Sequence, residues 1–308
     1  MVWRVNLLRT ILLILLSTSL LSTSVFPVLV DKDYLVNLKR DLFCLMVSYN
    51  SYITDIEISG KYVYLVMKSG ERVIYDDFLE KNFEEKLSNG DLQDSMELIY
   101  PLDFPTNIAT NSFDPGRVRS YEFLKAVYGK DKESIESKLT IVKTSLGEWK
   151  FNNENNAASK FKEALDNAHS LILNNEGIKE FVLPLLGTYV FRKIANSNQL
   201  SMHAFGLAVD LAPKRESYWL NASYEQGLKL LRLYPKQLVE IFESNGFIWG
   251  GKWAHFDLMH FEYRPELILK SKLFEKSNND GPWYVDNDIY ESYKILIDYI
   301  DKKLANYH

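Results

Sequence analysis

A glycine inside a run of small and apolar residues, Gly206 within Ser201–Asp210 (SMHAFGLAVD), most limits how this chain can fold. A helix through it would carry the glycine in its interior, at about 1 kcal/mol. A strand beginning near Gly206 uses the pattern instead. Gly206, Ala208 and Asp210 then share one face, and Leu207, Val209 and Leu211 share the other. The second face is apolar and suits a core. The first is small and ends in a carboxylate, which leaves room for something to lie against the sheet. Asp257–Glu262 (DLMHFE) alternates in the same way, with Met259, Phe261 and Tyr263 on an apolar face and His260 and Glu262 on a polar one.

The chain holds five histidines, and two fall in these stretches. If the two strands lie close with their polar faces aligned, Asp210 and His260 converge. His203 then reaches the same point from the loop ahead of its strand. Two imidazoles and one carboxylate make a three-ligand zinc set with a fourth position open, the pattern of catalytic rather than structural sites. Asp257, three residues before His260, stands where a general base belongs. A lone histidine on a strand is usually structural, and spacing by itself leaves that alternative open, because convergence depends on the fold.

The pattern SxHxxGxAxD followed by a distant (D/E)xxH resembles the zinc D-alanyl-D-alanine peptidases of the VanX/VanY type and related phage L-alanyl-D-glutamate endopeptidases. Their shared fold is the hedgehog/DD-peptidase fold. The resemblance extends to Gly187–Ala212 (GTYVFRKIANSNQLSMHAFGLAVDLA) and Gly246–Glu266 (GFIWGGKWAHFDLMHFEYRPE), and it is strongest over about Phe181–Glu266. It implies Zn2+ held by His203, Asp210 and His260, with Asp257 as catalytic base and Arg192 stabilising oxyanion charge. The family's base is often a glutamate, where this chain has Asp257. The activity implied is hydrolysis of peptidoglycan stem peptides, foremost as a D-alanyl-D-alanine carboxypeptidase. An endopeptidase cutting L-alanyl-D-glutamate or another internal bond is the alternative. A wall-binding module with a structural zinc is the non-enzymatic one.

Other residues take roles around that set. Ser201 either binds substrate or caps its loop. Tyr189, Trp249 and Trp253 either wall the cleft or belong to the core. Arg215, just past the Asp210 strand, is a candidate for a substrate's terminal carboxylate, since a planar guanidinium recognises carboxylates in a bidentate way. Glu262 suits the carboxylate that a ligating histidine needs for its outer N–H. His255 tempts as a fourth ligand but reads better as support for the site. A serine DD-peptidase would need SxxK, SxN and KTG in that order. Here Ser159–Lys162 follows Lys143-Thr144-Ser145, so the order is wrong.

With 46% hydrophobic and 25% charged residues among 308, an ordinary globular core can form. The net charge of −5 and the lack of a basic stripe argue against nucleic acid as partner. Arg4 and Arg9 precede the apolar run Ile11–Leu16 and then small polar residues. Residues 1–30 therefore read as an export signal, cleaved after Ser24 or kept as a membrane anchor. The single cysteine, Cys44, excludes an internal disulfide and reads as a buried hydrophobe.

Helix is expected over Asp33–Asn50, a three-stranded meander over Ile53–Asp77, and helix over Phe78–Leu98 broken near Gly90. Pro105–Pro115 reads as a long loop or linker. A short helix is expected over Arg117–Tyr128, a strand pair over Leu139–Phe151, and an amphipathic helix over Asn155–Asn174. Phe181–Ile194 should run extended into the site. Ser223–Gln226 has capping-box spacing, and a last helix spans Tyr284–Ala305. The class is α+β, without regular βαβ alternation. The division is 1–30 signal or anchor, 31–115 N-terminal subdomain, 116–275 catalytic domain and 276–308 C-terminal helix. Nothing in the sequence sets the oligomeric state.

Overall fold

The computed structural model describes residues 31–195, 197–277, 281–284 and 286–307. The expected export segment, 1–30, lies outside them. Among the described residues no helix is long and apolar enough to cross a membrane. The architecture is α+β, with helices interspersed among three antiparallel sheets.

Helix α1 (Lys32–Ser48) buries Leu38, Leu42, Phe43 and Leu45 and leads into a meander of β1 (Ile53–Ser59), β2 (Tyr62–Met67) and β3 (Arg72–Ile74). Along β2 every second residue, Val63, Leu65 and Met67, is buried, the period-two pattern of a half-covered sheet. The helix expected over Phe78–Leu98 is shorter. It begins only at α2 (Phe83–Asn89) and restarts at α3 (Leu92–Met96). Each piece has its own capping box, Asn82 with Glu85 and Asp91 with Asp94, so two separate starts are built into the sequence. Lys81, ahead of both, is sunk among Asp77, Asp91 and Asp94 at 2.7, 3.0 and 2.7 Å.

Helix α4 (Tyr121–Tyr128) starts four residues later than Arg117. A turn at Pro115–Arg117 and the bridge between Gly90 and Ser120 hold the preceding chain out of helix. After α5 (Lys132–Glu136) come the hairpin β4 (Leu139–Thr144) and β5 (Gly147–Asn152), then α6 (Ala157–Asn174) and α7 (Lys179–Val182). The extended run expected from Phe181 is mostly irregular. Its only strand is β6 (Leu185–Leu186), beyond Pro184, which has no N–H to offer a ladder.

The remaining elements are β7 (Ala208–Leu211), α8 (Tyr224–Leu233), α9 (Lys236–Ser244), β8 (Phe247–Trp249), β9 (His260–Tyr263), α10 (Pro265–Phe274) and α11 (Asn287–Leu304). Ser223 and Gln226 form the expected capping box at α8. Four strands make one antiparallel sheet in the order β6-β7-β9-β8. Its register pairs Ala208 with Glu262, Val209 with Phe261 and Asp210 with His260. Val209, Leu211, Phe247, Trp249 and Phe261 therefore share the face that packs on α6 and α9. There Phe242 lies 4.3 Å from Phe261, and Phe151 stacks on Phe161 at 4.2 Å. Each such ring contributes about 1.5–3 kcal/mol by burial. Asp210 and His260 are left on the opposite face.

Gly206 turns the chain into β7 with φ +67. A side chain there would also sit 2.6 Å from Leu139 Cδ2, and the Gly206 carbonyl accepts the Asn152 N–H at 2.9 Å. The glycine is thus needed both for its left-handed backbone and for the close approach of the β4–β5 hairpin.

Candidate metal centre

The β7–β9 register places Asp210 directly opposite His260. His203 arrives from a short 3-10 helix, Met202–Phe205, whose first turn is capped by Ser201: the Ser201 Oγ accepts the His203 N–H at 3.3 Å. The His203 Nε2 lies 3.2 Å from Asp210 Oδ1, and the His260 Nδ1 lies 3.1 Å from the same oxygen. One ligand atom from each of the three residues falls within 4.8 Å of the other two, and the imidazole centroids are 5.1 Å apart.

The outer nitrogen of each ring is already held. His203 Nδ1 contacts the Gly187 carbonyl, and His260 Nε2 lies 3.0 Å from Glu262 Oε2. That leaves one nitrogen of each imidazole and one carboxylate oxygen directed at a common point. Metal-binding histidines are oriented in this way, so the residues present fit a divalent cation with nitrogen and oxygen donors. Gly187, at φ +61, passes close to the centre, and a Cβ there would stand 3.6 Å from His203 Nδ1 and 3.8 Å from Asp210 Oδ2.

The electrostatics agree with the geometry. Burial by itself would raise the Asp210 carboxyl, but hydrogen bonds from His203 and His260 outweigh it and hold the group well below the usual carboxylate range. Burial would lower His260, yet hydrogen bonds to Asp210 and Glu262 push it up to about 10. Without a metal, His260 is therefore held as the imidazolium, its Nδ1–H on Asp210 and its Nε2–H on Glu262.

Asp257 lies on the turn that enters β9, and its carbonyl accepts the His260 N–H at 3.2 Å. A bridge to Tyr218 and a hydrogen bond from its N–H to the Gly250 carbonyl at 3.0 Å fix its backbone. Burial pushes its carboxyl up to about 7; the positive charges of His260 and Arg117 offset part of this, and the negative Asp210 adds to it. Its Oδ1 is out of solvent and has no hydrogen-bond partner.

The other expected site residues are placed as follows. Glu262 meets His260 and is fully buried. His255 is not at the ligand point. Its Nδ1 lies 2.5 Å from Asp114 Oδ2, and its ring stacks on Phe83 and abuts Trp219. Trp253 is buried beside His260, with centroids 5.8 Å apart, and its indole donates to the Pro115 carbonyl. Trp249 is wholly core. The Tyr189 hydroxyl donates to Glu136 at 3.1 Å. Arg192 and Arg215 are exposed, and among the described residues neither guanidinium has a hydrogen-bond or ion-pair partner. The backbone carbonyl of Arg192 accepts the Ser201 N–H, which ties its segment to the start of the His203 turn.

Sequence reasoning did not single out Arg119, Asp114 or Gly187. Arg119 forms a fork on Glu262, with Nη2 to Oε2 at 2.5 Å and Nε to Oε1 at 3.3 Å. No spacing rule connects residues 143 positions apart. Asp114 and Arg119 lie either side of a Pro115-Gly116 turn, which marks a bend and no chemistry.

Residues 195–263 match the family model described as D-alanyl-D-alanine carboxypeptidase. No curated protein and no solved structure matches the chain. The matched stretch contains His203, Asp210 and His260, which the fold brings to one place, and also Asp257. Over that stretch the chain is similar to the VanY-like D-alanyl-D-alanine carboxypeptidase family.

Proposed function

We propose that this protein is a zinc-dependent peptidase of the bacterial cell wall that removes the terminal D-alanine from peptidoglycan stem peptides. The observation that carries this reading is the convergence of His203 Nε2, Asp210 Oδ1 and His260 Nδ1 on one point, with Asp257 on the turn that leads into His260. Those three atoms would hold the zinc, whose chemistry when bound is to polarise a carbonyl and to lower the pKa of water.

The chain's own residues supply the rest. Asp257 takes up a proton at its carboxylate and returns it to the leaving amine. Its Oδ1 suits that task because no protein donor competes for it. Arg192, exposed and unpaired, turns toward the developing oxyanion once substrate is seated. Arg215 receives the substrate's terminal carboxylate. Ser201 keeps the His203 turn in place through its cap, and Trp253 backs the His260 ring. Arg4, Arg9 and the apolar run after them support export, which would put the enzyme where its substrate lies.

Digestion of purified muropeptides followed by mass spectrometry tests the reading. Loss of a single terminal alanine supports it. Cleavage at an internal bond instead makes the protein an endopeptidase. Binding of muropeptides with no hydrolysis would leave a wall-binding module.

A further inference from the structure

The carboxylate of Glu262 has no access to solvent and is surrounded by cations. Its Oε2 receives Arg119 Nη2 at 2.5 Å and faces His260 Nε2 at 3.0 Å. Its Oε1 receives Arg119 Nε at 3.3 Å and Arg264 Nη1 at 3.4 Å. The third nitrogen of Arg119, Nη1, donates to the Arg117 carbonyl at 3.0 Å, so the guanidinium plane is itself fixed by the turn after Pro115. Arg264 is engaged more closely elsewhere, with Nε 2.5 Å from Glu266 and Nη1 2.9 Å from the Gly116 carbonyl.

We propose that Arg119 is a positioning residue for the metal centre, acting through Glu262 to set the rotation of the His260 ring. The last torsion of a glutamate is broad and roughly two-fold, so an unclamped carboxylate can turn its oxygens away. A bidentate arginine fixes the carboxylate plane, which a point charge cannot do. The carboxylate in turn fixes the imidazole. With Oε2 holding the Nε2–H, the ring presents Nδ1 to the ligand point, whereas a ring flipped about its χ2 axis presents a carbon there. Arg119 lies outside residues 195–263, so the matched stretch lacks a part that its own ligand depends on.

This inference rests on the metal-binding reading, and the experiment separates the two. Zinc dissociation constants would be measured on the full chain by competition with a chelating dye, for wild type, Arg119→Met, Arg119→Lys, Glu262→Gln and the Arg119→Met/Glu262→Gln double variant. Circular dichroism would report folding. Nitrogen-15 histidine NMR of the zinc-loaded protein would report the His260 Nε2–H. Arg119→Met should bind zinc about 10–100-fold more weakly while folded, as loss of a ligand-orienting partner does. Arg119→Lys should recover little of the loss, and the double variant should be no worse than the weaker single one. The Nε2–H resonance, protected from exchange in wild type, should shift or vanish in Arg119→Met.

A folded Arg119→Met with wild-type zinc affinity and an unchanged Nε2–H signal overturns the inference and leaves the metal centre standing. If Arg119→Met does not fold, wild-type affinity in Arg119→Lys overturns it in the same way. If neither folds, the wild-type spectrum decides: an Nε2–H that exchanges freely overturns the inference, and a protected one supports it. A wild-type chain that binds no zinc removes the metal centre and the inference together.

Discussion

Asp210 and His260 face each other across β7 and β9, and their Oδ1 and Nδ1 atoms are 3.1 Å apart. In the metal-free protein a proton fills that gap, since His260 is pushed up to about 10 by its two carboxylates.

Zinc must displace this proton, so binding near pH 7 should release about one proton per metal, and affinity should rise with pH. Calorimetry in buffers of different ionisation enthalpy measures the release. The linked stability has a definite sign. A raised histidine stabilises the metal-free fold below the unfolded pKa, near 6.5, and that contribution is lost as pH rises toward about 10. Metal-free protein should therefore lose stability across that window in denaturant titrations. His203→Ala and His260→Ala should each abolish stoichiometric zinc in elemental analysis.

Asp257→Asn removes a proton acceptor and not a ligand. Zinc content should stay at wild type while kcat falls by about 10²–10⁴-fold. Burial pushes Asp257 up to about 7 in the metal-free chain, and a bound cation would pull it back down. The acid limb of kcat/KM should then fall between about 4, an ordinary aspartate, and 7, with activity rising with pH through it. A variant that lost zinc would make Asp257 a ligand.

The two exposed arginines should separate kinetically. Arg192→Ala should lower kcat by about 10²–10³-fold with zinc retained, as loss of an oxyanion donor does. Arg215→Ala should raise KM for peptides ending in D-Ala-D-Ala and matter little for the same peptides amidated at the C-terminus. Equal cleavage of free and amidated peptides by the wild type would favour endopeptidase action.

Ahead of α2, the Lys81 side chain is 5% exposed and meets Asp77, Asp91 and Asp94. Lys81→Met leaves Asp77 and Asp91 without that ammonium, while Asp94 keeps Lys86 at 3.2 Å, and should destabilise the fold by about 3–5 kcal/mol in urea titrations, with zinc affinity unchanged.

The metal-ligand strands were legible because alternation with period two survives in both segments, and one buried face fixes register. Val209 and Phe261 on the core side force Asp210 and His260 onto the other. Burial of the polar face was not legible. Glu262 alternates like a solvent residue, yet it lies beneath Arg264, just past its own strand, and Arg119, from a loop whose path no local pattern sets. The partner of His255 was not legible for a similar reason, because Asp114 is remote in sequence. The helix expected over Phe78–Leu98 does break near Gly90, but its start was drawn too early, because apolar periodicity does not register the Asn82 capping box.

The ligands reach one point only through the pairing of β7 with β9. Slipping that pairing by one residue would bring Phe261 to the cation and bury His260 in the core. An unfolded chain has no site to load, so on the metal-binding reading the ion would enter only after the sheet has closed. A chain that crosses a membrane unfolded takes no zinc with it. On the proposed reading, the compartment where the chain folds would supply the ion and so set where activity begins.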